Sequence, residues 1–214
     1  IVFFGIRQAG GAAAVMENAR ALPGYLNLTR GYDAATGSAA SFSLLSIVST
    51  LAWGLGYFGM PHILLRFMAI EDEKKLVVSR RVGSVWVVIA MFLAVMIGVV
   101  GNALTASGTI ASLSGSASET IVIQIATLLS KAGILPALMA GLILAGILAS
   151  TMSTADSQLL AASSSVSQNL LQEKLGLKLS QKSSMLAARL TVVLIAILGV
   201  IIAQDPNSSI FGIV

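Results

Sequence analysis

The chain contains no cysteine, one histidine and four prolines, and only 10% of its 214 residues are charged. Without cysteine there is no disulfide framework, thiolate metal site or thiol chemistry, and the redox compartment cannot be read. A metal or proton-relay role for His62 would need companions that the sequence does not supply, which leaves packing or a polar helix end. No Ser-His-Asp set and no paired carboxylates are present, so enzyme chemistry has no visible support. The run GGAAA (residues 10–14) superficially resembles a phosphate loop, but it lacks the GK[ST] element and is expected to lack the following helix as well. Scarcity of charge excludes most: a soluble domain carries about 25% charged residues, far more than this chain.

Apolar residues fill the space, at 56% of the chain with a mean hydropathy of +0.91. That composition defines a membrane protein, and no nucleic-acid module accompanies the net charge of +4 and the pI near 9.7. Basic residues in such a chain mark cytoplasmic loops. A membrane span needs about 20 mostly apolar residues. Four stretches qualify: about 41–65, 83–104, 133–168 and 185–203, the third long enough to project beyond the bilayer. Residues 1–6 and 210–214 read as stumps of two more spans. The chain starts on IVFFGI without methionine and stops on IFGIV, and it is expected to be an internal piece of a larger transmembrane domain. Between the second and third spans, apolar residues at 121, 125, 128 and 129 predict a short amphipathic helix at the surface. Pro136 suits the first turn of the third span, and EDEKK (71–75) reads as a solvated loop. Loops 66–82 and 169–184, with the first turn of the last span, hold nine of the thirteen Lys and Arg. The positive-inside rule makes both loops cytoplasmic and turns 7–40 and 102–132 outward.

Two stretches are odd for ordinary spans. WGLGYFGMPHILLRF (53–67) places Gly54, Gly56, Gly59 and Pro61 within one apolar run. Glycine serves close helix packing in membranes, which accounts for isolated cases. Here proline follows three glycines, and it removes the N–H that the Tyr57 carbonyl would bond. Backbone freed at membrane depth persists only inside protein or along a wet cavity, and discontinuous helices of this kind form solute sites in secondary transporters. Trp53 and Tyr57, four residues apart, share a helix face and form a candidate aromatic wall. In the second stretch, STMSTADSQLL, Ser150, Ser153, Thr154 and Ser157 fall on one helical stripe. Hydroxyls in membrane helices commonly bond their own i−4 carbonyls, but four on one stripe suggest an oxygen-lined site for a hard monovalent cation such as sodium. Ser153 and Thr154 would supply hydroxyls and Ser150 its carbonyl. Asp156 is either an intramembrane carboxylate, functional by default, or a solvated group at the cytoplasmic boundary.

Together WGLGYFGMPHILLRFMA and ILASTMSTADSQLLAASSSVSQNL resemble the sodium:solute symporter family, and within it the sodium/proline symporters. The likeness extends over essentially the whole chain. It implies an all-α polytopic membrane helix bundle, part of a leucine-transporter-type fold of two inverted repeats. The 41–65 span would be its sixth core helix and the hydroxyl-bearing span its eighth. It also implies that Trp53, Tyr57 and Pro61 contribute to a proline site, and that Ser153 and Thr154, with the Ser150 carbonyl, ligate a co-transported sodium ion. Ala155, Asp156 and Ser157 follow the motif where some proline symporters carry serine and cysteine. The expected activity is sodium-coupled proline uptake by alternating access, without enzyme activity. The alternatives are symport of another amino acid, pantothenate or a sugar, and a sensor domain that moves no solute. Expected partners are the solute, the lipid bilayer and the remaining helices of the full transporter.

Overall fold

A computed structural model describes residues 1–33, 36–57 and 59–204. The expected stump at 210–214 and most of the QDPNSS stop lie outside the described residues. The chain divides into two compact units, one built from 1–58 and 69–144, the other from 59–68 and the segment after 144.

The first unit begins with α1 (Val2–Gln8) and α2 (Ala12–Ala21), joined at Gly10 and Gly11, whose φ angles of 91° and 104° suit residues without a Cβ. A helix therefore does follow GGAAA, contrary to the sequence reading. Its alanine-rich start favours helix by propensity while offering little apolar periodicity to read. Next comes a two-stranded antiparallel hairpin, β1 (Arg30–Asp33) and β2 (Ser38–Ser41), with Arg30 opposite Ser41 and Asp33 opposite Ser38. α3 (Leu44–Tyr57) closes the first half of the unit.

After 69 the unit resumes with α5 (Glu73–Ala106), 34 residues and so about 51 Å long. Asp72 caps it by accepting from the Lys74 backbone N–H at 2.9 Å, and Glu71 pairs with Lys75 at 3.2 Å. EDEKK is thus a helix start rather than a plain loop, with an acidic residue in the first turn favoured by the macrodipole. The apolar centre of α5 is exposed, while its last turns are buried: Val100, Ala103 and Leu104 form a core with Val15, Ile110 and Ile125. A 3₁₀ turn (Gly115–Thr120) leads into α6 (Ile121–Ser130), the helix expected from its apolar spacing. One side of α6 is buried through Ile125, Ala126 and Leu129, and the last two pack with Ala140 at the start of α7 (Ile134–Ser164). Two glycines permit these close approaches. A Cβ at Gly5 would lie 2.5 Å from Val100 Cγ1, and one at Gly101 would strike Ile121.

The second unit contains α4 (Pro61–Met68), the remainder of α7, a π-helical continuation (Ser165–Lys174) and α8 (Gln181–Ile202). Ser180 caps α8 by accepting from the Ser183 N–H. Gln172 Nε2 donates to Ser184 Oγ at 2.8 Å, tying the π-helical stretch to α8. Gly176, at φ 65°, turns the chain between them.

Among the described residues, three helices are long and apolar enough to cross a membrane: α5, α7 with its π continuation, and α8. A fourth span results if α3 and α4 count as one broken crossing. The class is therefore a polytopic helical membrane protein.

Candidate solute and cation site

Among the described residues around WGLGYFGMP, α3 ends at Tyr57 and α4 begins at Pro61. The local chemistry explains the restart. Proline at the first helical position has no N–H to leave unbonded and its φ is already helical. The Met60 carbonyl, just before it, accepts from the Ile63 and Leu64 N–H groups, both at 3.0 Å. A Cβ built at Gly54 or Gly56 meets nothing within 4 Å.

Trp53 and Tyr57 lie together on α3, one turn apart, with 42% and 52% of their surfaces exposed. Each offers a flat apolar face with one polar hydrogen. Pro61 opens α4 and is exposed.

α7 gathers the other predicted residues. Thr154 Oγ1 donates to the Ser150 carbonyl at 3.1 Å, and Ser157 Oγ to the Ser153 carbonyl at 2.9 Å. Thr151 Oγ1 likewise donates to the Ile147 carbonyl at 3.0 Å. Each hydroxyl thus spends its only hydrogen on its own helix and keeps its oxygen lone pairs for an outside partner. The Ser150 carbonyl receives the Thr154 hydroxyl in addition to the helical N–H of Thr154, which occupies both of its lone pairs.

A shallow cleft of about 360 Å³ runs beside the stripe, lined by Ser150, Thr151, Thr154, Ala155 and Gln158. Ser153 is not part of its lining. The cleft brings in two residues that the sequence reading passed over, Thr151 and Gln158. Both stand at helical spacing from Thr154, so the stripe rule that selected Ser150 could have found them. Asp156 is exposed and does not line the cleft. Among the described residues, no three His, Asp or Glu side chains gather as a metal site. The oxygens on offer are neutral, as suits a weakly held monovalent cation.

A further contact crosses between helices of the second unit. Arg66 Nη2, near the end of α4, donates to Ser157 Oγ at 3.3 Å. Ser157 in turn bonds Ser153, so a cationic side chain reaches the hydroxyl stripe through a single serine. Ninety-one positions separate the two residues, and no sequence pattern links them.

The two stretches thus present an apolar helix that stops at Tyr57 and restarts at Pro61, and a stripe of hydroxyls on a second apolar helix. The family model for the sodium:solute symporter family matches residues 1–214, and the chain belongs to that family. It is 38% identical over 172 residues to the osmoregulated proline transporter OpuE of Bacillus subtilis, covering 80% of this chain and 33% of that protein. With the high-affinity proline transporter PutP of the same organism it shares 33% over 220 residues, 100% of this chain and 41% of the relative. With the sodium/proline symporter of Escherichia coli it shares 34% over 173 residues, covering 80% and 34%. The chain thus spans between 33% and 41% of the length of these curated relatives. No solved structure matches it.

Proposed function

We propose that the protein containing this chain takes up L-proline across the cell membrane by sodium-coupled alternating access. The observation that carries the reading is the helix interruption between Tyr57 and Pro61, preceded by an aromatic pair. The curated relatives named as proline transporters support the choice of solute.

Trp53 and Tyr57 form the wall against the pyrrolidine ring, a compact apolar body on a zwitterion. Pro61 keeps the helix open beside them, so that main-chain groups near the break meet the solute's charges. On α7, Ser153 and Thr154 give hydroxyl oxygens to sodium. The Ser150 carbonyl joins them when the Thr154 hydroxyl releases it. Sodium entry stabilises the outward-open form, proline closes the gate around the interrupted helix, and inward opening releases both. A membrane potential alone supplies about 2.3 kcal/mol per charge per 100 mV to drive this cycle.

The stretches 41–65, 83–104, 133–168 and 185–203 cross the bilayer as parts of one transporter domain, with loops 66–82 and 169–184 in the cytoplasm. The basic residues concentrated in and beside those loops support this orientation. Uptake of radiolabelled proline by the complete transporter in proteoliposomes tests the reading. An inward sodium gradient should accelerate uptake and its collapse should abolish the gain. Equal uptake without sodium would refute it.

A further inference from the structure

The first half of α5 carries a shallow groove of about 360 Å³, lined by Arg81, Val82, Val85, Trp86 and Ile89. These positions fall on one side of a single helix. All five side chains are exposed, Trp86 to 69% of its surface. Arg81 also marks a boundary in the chain, since no charged residue follows it until Glu119. Trp86 lies five positions further on, about 7.5 Å along the axis. Tryptophan is enriched at that depth, where headgroups give way to acyl chains.

Charge is spread unevenly around this end of the helix. Lys74 precedes Arg81 by seven positions, two turns, and so stands on the same side. Glu73 and Arg80 share a different face by the same spacing. Glu71 pairs with Lys75 at 3.2 Å, and Asp72 accepts from the Lys74 backbone N–H. The Arg81 guanidinium and the Lys74 ammonium are thus left without a carboxylate partner among the described residues. A guanidinium suits a phosphate, which it can bond through two N–H groups. Basic residues beside a membrane span draw anionic headgroups in the same way. A soluble phosphate would meet the charge and leave the apolar groove bare. A zwitterionic lipid would fill the groove but bring its own cation to two positive side chains. An anionic phospholipid matches both.

We propose that this stripe of α5 binds one anionic phospholipid, such as phosphatidylglycerol. Arg81 and Lys74 hold its phosphate, and an acyl chain lies along Val82, Val85, Trp86 and Ile89. The site rests on the reading that α5 crosses the bilayer with 66–82 at the cytoplasmic surface, and is independent of which solute is carried.

Trp86 reports on the groove directly, because bromine on an acyl chain quenches indole emission on contact. The complete transporter is reconstituted in phosphatidylcholine vesicles holding rising fractions of dibrominated phosphatidylglycerol, with dibrominated phosphatidylcholine as the comparison. The signal is the emission that Trp86→Phe removes. Half-maximal quenching should need several-fold less of the anionic lipid than of the zwitterionic one. Arg81→Gln should raise the phosphatidylglycerol fraction required about fivefold, the effect of one basic residue at a membrane surface, and Lys74→Gln should shift it in the same direction. Arg80→Gln, one position away on another face, should leave it unchanged, which a general surface potential would not do. Equal quenching by the two lipids, an Arg80→Gln shift as large as that of Arg81→Gln, or no quenching of Trp86 overturns the site. Sodium-driven proline uptake by the same vesicles is read separately. Its retention alongside any of those results leaves the transport reading standing, and its absence from the unmodified protein with the lipid preference intact strikes the transport reading alone.

Discussion

Replacing Thr154 by alanine removes one hydroxyl from α7 and changes two quantities that can be separated. The first is the stability of the helix. The Thr154 hydroxyl bonds only its own i−4 carbonyl, and that carbonyl retains its helical N–H partner. Threonine is also a weaker helix former than alanine, by about half a kcal/mol. The substitution should therefore leave thermal stability within about 0.5 kcal/mol of the original. The second quantity is cation affinity. A hydroxyl oxygen bonded to a charged partner contributes about 1.5–3 kcal/mol, which raises the sodium concentration for half-maximal uptake roughly tenfold to a hundredfold when it is lost. Thr154→Val should behave like alanine, and Thr154→Ser, which keeps the oxygen, should stay near the original value. The measurement is the initial rate of proline uptake into proteoliposomes against sodium at saturating proline, with melting in detergent as the control. The sign matters as much as the size. Alanine also frees a lone pair on the Ser150 carbonyl, so a carbonyl-dominated site would bind sodium more tightly in Thr154→Ala. An unchanged or lowered sodium requirement refutes the hydroxyl assignment.

Pro61→Ala restores an N–H between α3 and α4 and should lower uptake at least tenfold while the protein still inserts. Normal uptake with abundant protein would show that the interruption is not needed. Gly101→Ala drives a methyl into Ile121 and should destabilise the transporter by about 1–3 kcal/mol in a melting assay. Ile121→Ala should recover part of that loss if the clash is its cause. Burial holds the Tyr25 phenol above its usual value of 10.0. The folded state thus favours the protonated form, and this contribution is fully present below that pH. It is lost as pH rises through the folded value. Stability should fall above about pH 10 more steeply than in Tyr25→Phe, as read by melting temperature against pH.

Much of this protein is written locally. Scarce charge and long apolar runs define the membrane class, because each apolar residue argues for burial or lipid wherever it lies. The restart of helix at Pro61 is equally local: a missing N–H and a fixed φ need no distant partner. The α7 stripe follows from helical spacing alone. Where local patterns are weak, the reading falls short. The α2 helix after Gly11 has little apolar period, and the Arg30–Ser41 hairpin carries no alternating apolar face to announce it.

What the tertiary structure decides is which distant groups meet. Gly101 looks like any membrane glycine until Ile121 of α6 lies against it. Asn18 and Asn102, 84 positions apart, become one amide pair, and Tyr25 becomes the wall of a cavity through residues of α5. Arg66 reaches Ser157 only because α4 and α7 share a unit. Periodicity reports the face of a single helix. The partner of that face is set by packing between segments far apart in the chain, a relation that one-dimensional spacing does not encode.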